Sequence, residues 1–81
     1  MKIFAHDGMV INLESISSVE KRVHYDSVMK KQYYLQFEFI GKNSFISTSY
    51  FYEESIIDEW LEEIAETMRK VLDKSVILCY N

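Results

Sequence analysis

The chain has 81 residues, the size of one small domain, and its 48% apolar and 27% charged composition is too hydrophobic for an intrinsically disordered protein. Its net charge of −4 is unevenly spread: residues 1–52 carry +1 and residues 53–81 carry −5. This balance argues against sequence-independent binding to DNA or RNA, which requires clustered lysine and arginine.

Cysteine content and hydropathy indicate the compartment. Cys79 is the single cysteine, so no internal disulfide can form, as is typical of a reducing environment. No apolar run approaches the roughly 20 residues that span a bilayer. We therefore expect a cytoplasmic protein with no membrane partner.

The first 52 residues alternate between apolar and polar side chains, which is typical of β-strands. Asp7-Gly8 predicts a two-residue hairpin turn, and Gly41-Lys42-Asn43 predicts a second turn. A short helical corner is expected at 13–15, and a polar loop at 26–31. The predicted strands are 2–6, 9–12, 16–25, 32–40 and 44–52.

Alternation also predicts which side chains share a face of the sheet. The expected core positions are Val19, Val23, Leu35, Phe37 and Phe39. In the fifth strand, alternation places Phe45 and Phe51 on one face. The opposite face of that strand then receives Ile46, Thr48, Tyr50 and Tyr52.

Residues 53–73 form the one long segment with a helical period. Its apolar residues recur at steps of three and four, so the segment predicts an amphipathic helix whose stripe packs on the sheet. The stripe consists of Ile56, Ile57, Trp60, Leu61, Ile64, Met68, Val71 and Leu72. Residues 74–81 form a tail with three interpretations: an extra strand, a continuation of the helix, or an arm that docks on a second copy.

These elements predict an α+β fold in a single domain, residues 1–81. The expected architecture is an antiparallel meander of about five strands in residues 1–52, with one C-terminal amphipathic helix packed on one face of the sheet.

Four residues are of types that can act in catalysis or bind a metal: His6, Asp7, His24 and Cys79. None has partners at the spacing that a metal site or an acid–base pair requires, and Cys79 has no neighbouring base to activate it. We therefore expect no enzyme activity, no cofactor and no metal.

Two surfaces could bind a macromolecule. The outer face of the helix carries Glu59, Glu62, Glu63 and Glu66, and could recognise a basic partner. The second face of the sheet is expected to display Tyr34, Ile40, Ile46 and Tyr50. Tyrosine is enriched at protein interfaces, and these side chains would otherwise form an apolar patch in water.

The favoured interpretation is a non-enzymatic protein-interaction module, such as an inhibitor or immunity factor of phage or mobile-element kind, that binds a basic or aromatic-complementary partner. One alternative is a structural or assembly subunit, or a homodimeric scaffold. A second alternative is a weak nucleic-acid binder, whose basic residues would be Lys21, Arg22, Lys30, Lys31 and Lys42.

Overall fold

A computed structural model describes residues 2–70 and 77–79. The architecture is α+β: a two-stranded sheet, a four-stranded sheet and a single helix that packs on the larger sheet. The elements are β1 (Ile3–His6), β2 (Met9–Asn12), a 3-10 turn (Leu13–Ser15), β3 (Ile16–Tyr25), β4 (Lys31–Phe39), β5 (Phe45–Ser47), α1 (Glu54–Lys70) and β6 (Ile77–Cys79).

The β1–β2 hairpin forms a sheet of its own because its turn residues adopt the geometry that a tight hairpin needs. Asp7 and Gly8 both have positive φ, 56° and 71°, as both central residues of a type I′ turn must. The Asp7 carboxylate also accepts a hydrogen bond from the Ser49 amide at 2.7 Å, which ties this turn to the chain that follows β5. The Asp7-Gly8 turn predicted from the sequence is therefore confirmed.

The larger sheet has the strand order β5-β4-β3-β6. β5, β4 and β3 are antiparallel neighbours, as predicted, whereas β6 pairs with β3 in parallel, Ser18 lying opposite Ile77. Part of the tail thus forms an edge strand of this sheet. The predicted single meander is divided into two sheets, since β2 pairs with β1 and not with β3.

A bulge after β5 changes which side chains of the predicted fifth strand point to each face of the sheet. The Thr48 amide donates to the Leu35 carbonyl, and Phe51 exchanges both backbone hydrogen bonds with Tyr33. Two residues, Ser49 and Tyr50, therefore lie opposite the single residue Tyr34, which is the two-against-one count of a β-bulge. The predicted strand at 44–52 is accordingly limited to Phe45–Ser47.

The extra residue brings Thr48 and Phe51 to the same face, although alternation had assigned them to opposite faces. Thr48 is buried, and its hydroxyl accepts a hydrogen bond from the Leu35 amide at 3.0 Å. Phe51 packs against the core. The prediction for Phe51 was therefore wrong, because strict alternation holds only while pairing is one to one.

The core lies between the larger sheet, the β1–β2 hairpin and α1. The sheet contributes Val19, Leu35 and Phe37, all fully buried as predicted, while Phe39 is partly buried against them. Val23, also predicted to be core, is only half-buried. The hairpin and the connecting turn add Phe4, Ile11 and Leu13, and the start of β3 adds Ile16.

α1 begins at Glu54, one residue after its predicted start, and is described to Lys70. The last predicted positions, 71–73, lie outside the described residues. Ile57, Leu61, Ile64 and Met68 are buried beneath the helix, and Trp60 packs at the margin of the core, as its apolar stripe predicted. Within the described part of the chain, α1 is too short and too polar to cross a membrane.

Candidate functional site

The face of the larger sheet opposite α1 is called here the open face. Pairing places side chains of directly opposite residues on one face, so Glu20, Arg22 and His24 of β3 share this face with Gln32, Tyr34 and Gln36 of β4. None of these side chains is buried, whereas Val19, Leu35 and Phe37 on the other face are fully buried. The open face is therefore the accessible face of the sheet.

Three rings contact one another on the open face. His24 lies parallel to Tyr50, with ring centroids 4.2 Å apart and an interplanar angle of 19°. Tyr34 contacts the same Tyr50 ring at 4.9 Å and 55°. The bulge makes this contact possible, because it places Tyr50 opposite Tyr34. We call His24, Tyr34, Tyr50 and the adjacent Arg22 the ring cluster.

Arg22 supplies the charge of the ring cluster. Its Nη1 donates to Glu20 Oε2 at 2.9 Å, and its side chain is 43% exposed. The hydrogen bond to Glu20 raises the pKa of Arg22 above its ordinary value, and a hydrogen bond with Tyr34 adds to the effect. These hydrogen bonds place the guanidinium beside the rings.

Two of the sequence-predicted site residues, Tyr34 and Tyr50, are brought together, while Ile46 is not. Ile46 lies directly opposite Phe37, so its side chain shares the core face and not the open face. The prediction that Ile46 joins these tyrosines was wrong, because the bulge breaks the alternation between Ile46 and Tyr50. Sequence reasoning missed Arg22 and His24 as their neighbours, although alternation had already placed both on the right face.

The outer face of α1 displays the four predicted carboxylates. Glu59, Glu62, Glu63 and Glu66 are all exposed and border one open concavity along the helix. Within the part of the chain that the structure describes, Glu59 and Glu62 make no side-chain hydrogen bond or ion pair. Glu63 differs, since its Oε2 lies 2.7 Å from His6 Nε2.

His6 has a structural position at the end of β1. Its ring stacks on Trp60 at 5.0 Å and 18° while its Nε2 contacts Glu63 of α1. His6 thus links the small hairpin to the helix, and Asp7 links it to Ser49. The side chain of Cys79 lies outside the described residues. Among described residues, no group of three His, Cys, Asp or Glu side chains could hold a metal ion.

The five basic residues proposed for nucleic-acid binding do not form one surface. Lys21 is 5% exposed, and its ammonium is engaged by Glu54 and Asp58 of α1, so its assignment to an accessible basic surface was wrong. Lys31 is the first residue of β4, and Lys42 lies beyond the other end of this nine-residue strand. At about 3.3 Å per residue, the length of β4 separates them by roughly 26 Å.

Comparison with known proteins finds no match to any family model, any curated protein or any solved structure.

Proposed function

We propose that this protein is a non-enzymatic interaction module that binds another protein through the open face of its larger sheet. The single observation that supports this proposal most strongly is the ring cluster. Tyr50, with 46% of its surface exposed, contacts both the His24 ring and the Tyr34 ring beside the Arg22 guanidinium. Tyrosine and arginine are enriched among the few residues that supply most of the binding energy at protein interfaces.

The fixed geometry of the cluster adds to this argument. Ordering a flexible side chain at an interface lowers affinity, so rings that are already packed against one another lose less entropy on binding. The polar groups around them, including Glu20 and Gln36, suit the rim of such an interface. A partner with an apolar centre and a polar border would complement this face.

Site-specific crosslinking tests the proposal. A photoreactive phenylalanine analogue at position 50 should crosslink a protein in the native host, and the same analogue at position 25 serves as a control. Tyr25 and Tyr50 have nearly equal exposure, 49% and 46%, but Tyr25 lies outside the ring cluster. The crosslinked protein is then purified for affinity measurements.

Binding of that purified partner should fall on the order of 10- to 30-fold for Tyr50→Ala, as expected for a central interface residue. Tyr25→Ala should leave it unchanged. No crosslink at position 50 above that at position 25, or equal affinity for the wild type and Tyr50→Ala, would overturn the proposal.

The acidic face of α1 provides a second candidate surface, favoured by the unpaired state of Glu59 and Glu62 within the described residues. A basic partner bound there would lose affinity on Glu59→Lys with Glu62→Lys, and the loss would shrink as salt screens the charges. If that variant abolishes binding while Tyr50→Ala does not, the acidic face replaces the open face as the site.

A further inference from the structure

The loop between β3 and β4 exposes two apolar side chains at its tip. Val28 is 76% exposed and Met29 is 73% exposed, among the highest values of any large apolar residue in the described chain. They are adjacent in a loop of five residues, 26–30. Two such neighbours at the end of a hairpin form an apolar projection.

Hydrogen bonds within the loop satisfy most of its backbone donors. Asp26 Oδ1 accepts from the Val28 and Lys30 amides, each at 2.9 Å. The Met29 amide donates to the Asp26 carbonyl, and the Asp26 amide donates to the Lys30 carbonyl, both at 3.0 Å. Four of the five loop amides are therefore bonded internally, and the tip has a defined shape.

The backbone at Met29 is strained. Its φ is 62°, in the left-handed region that L side chains other than Asn and Asp rarely adopt. Glycine would meet less resistance there. A strained residue with an exposed apolar side chain is an outlier from which a functional hypothesis can be drawn.

Aromatic rings and amines flank the apolar tip. Tyr25 and Tyr52 are 49% and 54% exposed, and the Tyr52 hydroxyl donates to Asp26 Oδ2 at 2.6 Å. Lys30 Nζ lies 5.3 Å from the centre of the Tyr52 ring, and Lys31 is exposed beside it. An apolar end followed by tyrosines and lysines is the order in which a bilayer presents acyl chains, interface and anionic headgroups.

We propose that this loop is a peripheral membrane-contact site: Val28 and Met29 enter the headgroup–acyl boundary of a bilayer that contains anionic lipid, and Lys30 and Lys31 pair with its headgroups. A bilayer is favoured over a pocket on a partner protein because the loop retains few free backbone donors for directional recognition. Amides that are bonded within the loop lower the cost of bringing the tip into an apolar medium.

This contact differs from a membrane anchor, and it revises the sequence-based expectation of no membrane partner. Two apolar side chains provide only weak and reversible association with a bilayer. Because the whole chain has a net charge of −4, anionic lipid attracts only the tip that carries Lys30 and Lys31. The proposal is independent of the ring cluster, so either can fail without the other.

Sedimentation of the full chain with lipid vesicles tests the proposal. We expect binding to phosphatidylcholine vesicles with about 30% phosphatidylserine, and weaker binding to phosphatidylcholine alone. Val28→Ser and Met29→Gly should each lower the partition coefficient at least fivefold. Lys30→Gln with Lys31→Gln should lower it on the anionic vesicles only.

Two features keep the result interpretable. Met29→Gly relieves the positive φ, so it should not reduce the melting temperature, and its loss of binding cannot be attributed to unfolding. Val10→Ser is the matched control, because Val10 in β2 is 73% exposed but remote from the loop in sequence. The proposal is overturned if the wild type binds neither vesicle, or if Val10→Ser reduces binding as much as Val28→Ser.

Discussion

At the scale of single residues, a buried ammonium group joins the larger sheet to the start of α1. Lys21 Nζ donates to Asp58 Oδ1 at 2.7 Å and also to the carboxylate of Glu54. The side chains of Asp58 and Glu54 are each 48% exposed. Burial lowers the pKa of Lys21, but the hydrogen bonds and charges of Asp58 and Glu54 outweigh it, and the pKa is raised above 10.5. Lys21 is therefore charged at neutral pH.

The two sides of this ion pair should respond unequally to mutation. Lys21→Met fills the site with apolar atoms and frees two carboxylates that water can reach, so the free energy of unfolding should change by less than about 1 kcal/mol. Glu54→Gln with Asp58→Asn leaves a buried ammonium without an anionic partner, at an expected cost of about 1–3 kcal/mol.

Urea denaturation of both variants measures this asymmetry. Glu59→Gln with Glu62→Gln makes the same change in charge on exposed side chains and should stay within about 0.5 kcal/mol of the wild type. A larger loss for Lys21→Met than for the double carboxylate variant would contradict the expected asymmetry and show that the site requires the ammonium group itself.

The sequence predicts the face of the sheet on which Lys21 lies, but not its ion pairs with α1. Alternation through β3 places Lys21 on the same face as Val19 and Val23, which were assigned to the core. Its partners lie 33 and 37 residues further along the chain. No local pattern connects them, so lysine was assigned its usual exposed position.

Asp26 gives the β3–β4 loop a pH dependence. The hydrogen bond from Tyr52, followed by that from the Lys30 amide, holds the pKa of Asp26 below its ordinary value. A depressed folded-state pKa contributes stability above the ordinary pKa, and this contribution is lost as pH falls through the folded-state value. The hydrogen bond between Tyr52 and Asp26 also raises the pKa of the Tyr52 hydroxyl. The stability that this hydroxyl contributes is therefore lost only as pH rises through its raised folded-state pKa.

Asp26→Asn keeps an acceptor oxygen but removes the charge. The variant should be less stable than the wild type near neutral pH, and the gap should narrow as pH falls below about 4. Urea denaturation at several pH values measures this gap. A gap that stays constant down to about pH 2 would exclude the ionised Asp26 as its source.

At the scale of elements, the bulge at Ser49 and Tyr50 shapes both faces of the sheet and interrupts its edge. It directs Phe51 to the core and Tyr50 to the ring cluster. It also ends β5 after three residues, and short, interrupted edge strands resist pairing with other chains. The bulge thus supports the candidate site and restricts edge-to-edge association.

Deleting Ser49 should restore one-to-one pairing, with Tyr50 alone opposite Tyr34. Thr48 and Phe51 would keep their faces, so the melting temperature should change by only a few degrees. The edge strand would lengthen to residues 45–51, and light scattering should detect association that grows with protein concentration. Ser49→Ala, which retains the bulge, should behave like the wild type. If the deletion variant scatters light like the wild type at every concentration, the bulge does not restrict edge-to-edge association.

Local signals explain which elements were predicted well. The period of α1, the Asp7-Gly8 turn and the alternation of β3 and β4 all lie within a few neighbouring residues, and the observed bounds agree within one or two residues where they are described. The bulge and the division into two sheets were missed because pairing between distant strands determines them. For the same reason Ile46 was wrongly predicted to share a face with Tyr34 and Tyr50.

At the scale of the whole molecule, Phe4 is where the two sheets and the helix meet. Its ring lies 5.0 Å from Phe37 of β4 and 5.7 Å from Trp60 of α1, measured between centroids. It is 1% exposed. Because hairpin, sheet and helix share this contact, we expect them to unfold together in one cooperative transition.

Phe4→Ala should therefore weaken the entire molecule. Truncating a buried phenylalanine costs about 3–5 kcal/mol, whereas a chain of this size has a total stability of roughly 4–12 kcal/mol. The urea midpoints from far-ultraviolet circular dichroism and from Trp60 fluorescence should fall together. Ile3→Ala, at a neighbouring position that is 40% exposed, should cost less than about 1 kcal/mol. If Phe4→Ala shifts the fluorescence transition but leaves the helical signal at its original midpoint, the hairpin and the helix are separate folding units and do not share one core.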